Sequence, residues 1–336
     1  MKKALVLVMA VLFVLVCLAG CATDAGTVVN VSASSGDSAA AQTESAGGGS
    51  SDTDYTFCMI YQDLSTQFNI YFQEVLSARC AEAGINLLEF DGQADTETQL
   101  RLCENAISQG VDVIMFIPID KSGCVPMIED ANTAGIPIIC CNNITDNWED
   151  ATAYVGANDK DAGIMETEYI VELLGGKGNI AIVEGPFGHS AQVARQEGIN
   201  EVLANYPDIH IVFDDSANWY RDEAMQLAEN WLQTGTQIDA FICHNDDMAM
   251  GVYQALEGVE KTDIPVIGID AIYDALVSVK EGGLCADVFQ DVYGQAEGAF
   301  DVAMKIMNGE SFEHTTYIPF QLVTQDNVDE YLKNFE

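Results

Sequence analysis

The amino-acid sequence predicts an α/β protein built from two doubly wound parallel-sheet lobes. The chain has 336 residues, which is too long for one ordinary α/β lobe and sufficient for two. Short continuous apolar runs alternate with helical patterns from Tyr55 onward, which is typical of parallel strands that are buried on both faces. The alternation breaks near residue 157 and then resumes, so we place the boundary between the lobes there.

The first lobe begins with residues 55–157. Apolar residues recur every four positions from Phe68 to Cys80, which predicts the first helix. Glycines follow the helical segments and indicate where the helices end. The predicted strands lie at residues 55–61, 86–90, 111–117 and 136–141.

The second lobe repeats this rhythm between residues 158 and 290. Crossovers between parallel strands are right-handed, so the helices should cover both faces of the sheet. The predicted strands lie at residues 180–183, 209–213, 240–243 and 266–269. The predicted helices cover residues 162–174, 191–206, 222–234, 247–256 and 272–280.

The first 20 residues are typical of a signal peptide. Two lysines follow Met1, and residues 4–19 form an uncharged apolar run that is too short to span a bilayer as a helix. The run ends in small residues directly before Cys21, which resembles a bacterial lipobox and implies that the Cys21 thiol is lipidated. An ordinary signal peptide or a short transmembrane anchor is the alternative.

Residues 21–54 are expected to carry the lipidated cysteine and a disordered tether. The segment consists mainly of Ala, Ser, Gly, Thr and Asp and has no Lys or Arg, so it has too few apolar residues to form a core. The sequence therefore predicts an anchor, then a tether, then a soluble body.

The net charge argues against nucleic acid as a partner. The chain has 53 acidic and 13 basic residues, for a formal charge of -40, and contains no basic stripe. We interpret the acidic excess as a solvated surface.

Ten cysteines occur in the chain, and none forms a C-x-x-C pair or a Cys/His cluster with zinc spacing. Several lie in apolar, β-like runs, among them Cys58, Cys140, Cys141 and Cys243. We therefore predict buried thiols of the core rather than disulfides, and we expect no metal and no cofactor.

Polar and aromatic residues follow the predicted strands, where ligands bind in open parallel sheets. Amides, a carboxylate, a histidine and a guanidinium are the groups that a polyhydroxylated ligand needs, and aromatic rings could cover the apolar faces of a sugar. Residues at strand ends also cap the next helix, and Asp246 is better explained in this way. The candidate ligand-binding residues are Phe68, Asn142, His189, Arg195, Trp219, Asn245, Asp270 and Gln290.

At these residues the chain resembles the periplasmic sugar-binding proteins of the ribose and glucose/galactose type, the substrate-binding subunits of ABC importers. The most specific segments are residues 154–159, 184–195, 244–251 and 267–271. The resemblance implies a type I periplasmic binding protein fold. It also implies that Phe68 and Trp219 sandwich a sugar ring, while the other six candidates bond its hydroxyl groups.

The resemblance also implies three chain crossings between the lobes, near Asn158, Gln290 and Phe312. The first lobe would then comprise residues 55–157 plus 291–312, and the second would comprise residues 158–290 plus 313–336. Partners would be a sugar, the ABC permease and, through the lipid anchor, the membrane. We expect a monomer that does not bind nucleic acid.

The chain departs from the family at four places. The glucose/galactose type has acidic residues where this chain has residues 65–67 and Ala191. The ribose type has Asp-Arg where this chain has Asn142 and Asn143. The missing carboxylates leave the identity of the sugar open. Residues 174–179 are too short and lack the ligand series for the calcium loop of the glucose/galactose type, so we predict no structural calcium.

The sequence bears on three other functions. A sensory receptor for a chemotaxis or kinase partner would have the same lobes, and the sequence does not decide between the two. A glycosidase needs two facing carboxylates, whereas Asp270 alone is placed in the cleft. The chain also has no G-x-S-x-G, P-loop or H-E-x-x-H motif, so we predict that it is not an enzyme. A transcription regulator is excluded by the export segment.

Overall fold

The computed structural model describes residues 55–335. The predicted signal peptide, the lipidated Cys21 and the tether therefore lie outside the described residues. Within residues 55–335, no helix has both the length and the apolar character that crossing a membrane requires.

The first lobe contains a six-stranded parallel sheet, as predicted. Its strand order is β11-β5-β4-β3-β1-β2. The strands are β1 (Thr56–Tyr61), β2 (Asn86–Asp91), β3 (Val113–Phe116), β4 (Ile138–Asn142), β5 (Ala153–Gly156) and β11 (Thr315–Tyr317). The helices around it are α1 (Gln67–Ala83), α2 (Thr96–Gln109), α3 (Val125–Ala134) and α9 (Val292–Asn308).

The second lobe contains the other six-stranded sheet of the described chain, in the order β12-β10-β9-β8-β6-β7. It is parallel except for β12, which pairs antiparallel with β10. The strands are β6 (Gly178–Glu184), β7 (Ile209–Ser216), β8 (Ala240–Cys243), β9 (Val266–Asp270), β10 (Ala286–Phe289) and β12 (Gln321–Val323). The helices are α4 (Asp159–Leu173), α5 (Ser190–Leu203), α6 (Arg221–Gln233), α7 (Asp246–Gly258), α8 (Tyr273–Glu281) and α10 (Val328–Tyr331).

Each sheet is buried on both faces, which explains why its strands appear in the sequence as continuous apolar runs. The helices α1, α2 and α3 end at Gly84, Gly110 and Gly135, which adopt left-handed φ of 72°, 69° and 74°. The eight cysteines of the described chain are free thiols, seven of them buried.

The chain crosses between the lobes three times. The first crossing follows β5 and leads into α4, and the second follows β10, because α9 packs against α1, β4 and β5. The third lies beyond the predicted Phe312, since β11 pairs with β5 and Ile318 packs on the first core, whereas Phe320 is buried in the second. Residues 313–317 thus belong to the first lobe, contrary to the predicted boundary.

Candidate ligand-binding site

The eight candidate residues line one crevice between the two lobes, at the carboxyl ends of the parallel strands. The crevice leaves about 410 Å³ free of atoms, part of it open to solvent. Phe68 and Asn142 come from the first lobe, and the other six come from the second lobe or from the crossing after β10. The lining is completed by Gln62, Thr66, Asn69, Asn143, Ala191 and Asp247.

Arg195 is the cation at the base of this crevice, and its guanidinium is fixed by three partners. Its Nε and Nη2 donate to Oδ1 of Asp159 at 3.0 and 2.8 Å, and Nη2 also donates to Oε1 of Gln290 at 3.2 Å. Its Nη1 donates to the carbonyl oxygen of His244. The guanidinium carbon lies 5.7 Å from the centre of the Trp219 ring. A buried guanidinium held in this way is a rigid donor, and its charge is matched by that of Asp159.

Asp270 and its neighbour Ala271 have an unusual backbone. Their φ angles are 129° and 61°, although neither residue is glycine. Asn142 and Trp219 also have positive φ, 58° and 73°. Such conformations cost about 1–3 kcal/mol each and persist where the surrounding structure enforces them, which is common at functional sites.

Asp270 is a buried acid, and two opposing effects act on the pKa of its carboxyl. Burial raises the pKa of its carboxyl well above the usual range, while the nearby Arg195 guanidinium opposes this shift. A hydroxyl group that donated to Asp270 would stabilise the ionised carboxylate.

Asn245, and not Asp246, caps helix α7. Oδ1 of Asn245 accepts from the amide of Met248 at 3.0 Å, and its φ and ψ of -153° and 171° are extended. Asp246 is already helical, and its Oδ2 accepts from the amide of Ile272 at 2.9 Å. The capping prediction was therefore wrong by one residue. The Asn245 amide nitrogen still faces the crevice lining, 3.4 Å from the Trp219 carbonyl oxygen.

Trp219 is seated on the backbone of the loop after β6. A Cβ at Gly185 would overlap the six-membered ring of the indole, so glycine is required for this contact. The His189 ring packs edge-on against the indole, with ring centres 5.1 Å apart. The indole is thereby held as one wall of the crevice.

His189 links the two lobes. Its Nδ1 accepts from the amide of Ala191 at 3.2 Å, so Nε2 carries the proton and donates to Oε1 of Gln62 at 3.0 Å. Asn143 donates to the same Gln62 oxygen at 2.9 Å. Burial, reinforced by Arg195, lowers the pKa of His189 to about 3, so the ring is neutral at physiological pH.

Two further hydrogen bonds cross between the lobes. The amide of Ile144 donates to Oγ of Ser190 at 3.1 Å, and the Tyr220 hydroxyl donates to Oδ2 of Asp63 at 2.9 Å. With the His189 link, they hold the lobes in a closed arrangement.

Three buried polar atoms on the crevice lining lack a hydrogen-bond partner within the described chain. They are Oδ1 of Asn69, Nε1 of Trp219 and Nε2 of Gln290, one acceptor and two donors. Leaving such a group unsatisfied costs about 1–3 kcal/mol, so a ligand that offers hydroxyl groups would recover this free energy.

Besides Thr66, the N-cap residue of α1, four polar residues of the lining were not among the predicted candidates. Gln62 and Asn143 directly follow β1 and β4, so the rule that selected the other candidates would have found them. Asn69 and Asp247 lie in the first turns of α1 and α7, where polar residues are commonplace and carry no distinguishing signal. Ala191, at one of the departures from the glucose/galactose type, also lines the crevice.

Comparison with known proteins agrees with this architecture. The family model described as "Periplasmic binding protein domain" matches residues 57–311. The xylitol-binding protein of Mycolicibacterium smegmatis is 36% identical over 246 residues, which cover 73% of this chain and 70% of that protein. The ribose import binding protein of Bacillus subtilis is 29% identical over 272 residues, covering 81% of this chain and 88% of that protein.

A solved structure gives the same result. The ABC transporter solute binding protein of Bacillus halodurans, with bound myo-inositol, superposes with a TM-score of 0.81 and is 38% identical, covering 84% of this chain and 99% of that one. The predicted fold and the resemblance to sugar-binding proteins of ABC importers are thus confirmed. The chain belongs to the periplasmic binding protein family, whose members bind solutes between two lobes and are not enzymes.

Proposed function

We propose that this protein is the extracytoplasmic receptor of an ABC importer and that it binds a small uncharged sugar or cyclitol between its lobes. The observation that carries the proposal is the convergence of eight polar and aromatic side chains, distant in the chain, on one interlobe crevice. Relatives named for xylitol and ribose, and a structure that contains myo-inositol, support a polyhydroxylated ligand.

The charges of the crevice favour a neutral ligand. Arg195 is the one Lys or Arg among the described lining residues, and its charge is already matched by Asp159. Asp247 adds negative potential, and Asp270 adds more when it is ionised, so a phosphate or carboxylate group would be repelled. The amides of Asn142, Asn245 and Gln290 both donate and accept, as alternating hydroxyl groups require.

The aromatic residues suit the carbon face of a ring. Phe68 and Trp219 lie on the lining contributed by opposite lobes, so a ligand between them would contact both lobes. Neither Ala191 nor residues 65–67 supply the carboxylates of the glucose/galactose type. This composition favours a pentose, a polyol or a cyclitol over glucose or galactose.

Closure follows from the ligand's contacts with both lobes. A ligand that bonds side chains of each lobe favours the closed form by the difference in its affinity for the two forms. The closed receptor would then present edges of both lobes to the permease.

We propose that Cys21 carries the lipid and that residues 22–54 tether the body. A flexible chain of this length reaches about 30 Å. Labelling with a fatty-acid analogue should mark the wild type and leave Cys21→Ser unlabelled. Equal labelling of both would contradict lipidation at Cys21.

Titration calorimetry against myo-inositol, xylitol, ribose and glucose tests the binding proposal. One of the first three should bind, and Asp270→Ala should abolish its binding while the variant stays folded by circular dichroism. The exposed Asp263, in the turn before β9, supplies the control Asp263→Ala, which should bind as the wild type does. Unchanged affinity of Asp270→Ala would remove Asp270 from the site.

A further inference from the structure

A second chamber adjoins the crevice on its open side, and we call it the outer chamber. It leaves about 620 Å³ free of atoms, part of it open to solvent, against about 410 Å³ in the crevice. Gln62, Thr66 and Trp219 line both spaces, so the two spaces are adjacent. The remaining lining residues are Asp63, Ala94, Ile119, Pro186, Asn218, Tyr220 and Glu223.

Both lobes build the outer chamber. Ala94 and Ile119 come from the first lobe, while Pro186, Asn218 and Glu223 come from the second. On each wall, two consecutive residues adopt left-handed φ. These pairs are Gln93 with Ala94, at 55° and 52°, and Asn218 with Trp219, at 52° and 73°.

The chemistry of the outer chamber is apolar and acidic. Ala94, Ile119 and Pro186 supply apolar surface, and the described lining contains no Lys, Arg or His. Asp63 and Glu223 supply two carboxylates. Asp63 accepts from Ser65 and Tyr220, and Glu223 accepts from Asn218, so both are held in place. A neutral or cationic group fits here, and an anionic group does not.

Trp219 stands at the junction of the two spaces. Its Nε1 is buried and has no partner among the described residues, while the side chain is 7% exposed. A ligand that spans the junction would offer an oxygen to this donor and lay carbon against the ring.

From this geometry we propose that the ligand is a substituted polyol. Its polyhydroxylated core would occupy the crevice, and an uncharged substituent, such as an O-methyl or O-glycosyl group, would occupy the outer chamber. This inference rests on the proposed function and narrows its ligand class.

The test compares parent compounds with their derivatives. The probes are myo-inositol, xylitol and ribose, each with a mono-O-methyl derivative, an O-glucosyl derivative and a phosphate ester, titrated into the protein by calorimetry. For the parent that binds most tightly, at least one derivative should bind as tightly or more tightly, and the phosphate ester should bind at least 100-fold more weakly.

Glu223→Phe should narrow the outer chamber and raise the ratio of derivative Kd to parent Kd at least tenfold. The matched control is Asp222→Phe, on the same turn of α6 but outside the lining, which should leave that ratio unchanged.

Two results would overturn the inference alone. One is a parent that binds while all its derivatives bind more than tenfold more weakly. The other is a Glu223→Phe variant with an unchanged ratio. If neither a parent nor a derivative binds, the proposed function is overturned as well. Failure of the inference alone can therefore be distinguished from failure of the proposed function.

Discussion

The buried ionisable residues of the second lobe are stabilised in two ways, by ion pairing or by a shift of the pKa. Arg195 and Asp159 form an ion pair, with side chains 5% and 9% exposed. Asp246 and Asp287 have no such cation. Burial raises the pKa of Asp287 to about 7 and that of Asp246 well above its usual range, and the negative charge of Asp287 raises that of Asp246 further. The two carboxyls therefore share protons at neutral pH rather than both being ionised.

Asp287→Asn should make the stability of the protein less dependent on pH between about pH 4 and pH 7. In the unfolded chain Asp releases its proton near pH 4, whereas folded Asp287 keeps it to about pH 7. Stability from this group is therefore full below pH 4 and is lost as pH rises through 7. Urea unfolding at pH 5 and pH 8 should show a smaller loss of unfolding free energy in Asp287→Asn, by about 1 kcal/mol or more.

The exposed Asp263 again provides the matched control for this substitution. Asp263→Asn should follow the pH dependence of the wild type. If Asp287→Asn and the wild type lose equal free energy between the two pH values, Asp287 does not hold a proton in the folded state.

At the scale of elements, helices α4 and α5 position the buried ion pair through a close contact of their backbones. Asp159 opens α4 and Arg195 lies within α5. A Cβ at Gly163 would overlap the carbonyl oxygen of Arg195, and a Cβ at Gly198 would overlap that of Lys160. Glycine at both positions lets the helices approach, so helix packing fixes where the guanidinium lies.

Gly198→Ala should therefore weaken ligand binding without touching the crevice. The added methyl would push α5 away from α4, destabilise the protein by about 1–3 kcal/mol and displace Arg195. Gly258→Ala, at the end of α7, is the matched control because no atom lies within 4 Å of its Cβ position. Calorimetry should show weaker ligand binding, and thermal melting a lower melting temperature, for Gly198→Ala than for Gly258→Ala. Equal ligand affinity in the two variants would contradict the positioning role of the α4–α5 contact.

The sequence predicts strands well where all their residues are buried, and poorly where the residues are half-buried or exposed. Runs such as residues 138–141 are apolar because both sheet faces are covered, so the strand and the polar Asn142 at its end were both predictable. The three residues of β11, Thr315 to Tyr317, are half-buried or exposed and lack such a run. Their pairing with β5 depends on where distant segments meet, which explains the misplaced third crossing.

At the scale of the whole molecule, hydrogen bonds between the lobes select the closed arrangement. The bonds of His189 to Gln62 and of Tyr220 to Asp63 join residues 127 and 157 positions apart. They border the crevice, so the arrangement of the lobes that forms these bonds also encloses the crevice. Their net contribution should be modest, since each replaces a hydrogen bond to water in the open form.

Tyr220→Phe should shift the equilibrium toward the open form. Loss of the bond to Asp63 should cost about 0.5–1.5 kcal/mol of closure and raise the ligand Kd roughly two- to tenfold. Small-angle scattering should show a larger radius of gyration for the unliganded variant than for the wild type.

Tyr331→Phe is the control for this change, because the Tyr331 hydroxyl donates to Gln321 within the second lobe. It should leave both the scattering and the affinity unchanged. A Tyr220→Phe variant as compact as the wild type would show that this bond does not hold the lobes together.

Burial protects the cysteine thiols of the core from oxidation. It raises the pKa of Cys58, Cys80, Cys103 and Cys141 to about 12, so these folded thiols present almost no thiolate to an oxidant. In the unfolded chain they lose this protection, because an exposed cysteine has a pKa of about 8.5. Refolding in the presence of an oxidant should therefore yield less native protein than refolding under reducing conditions.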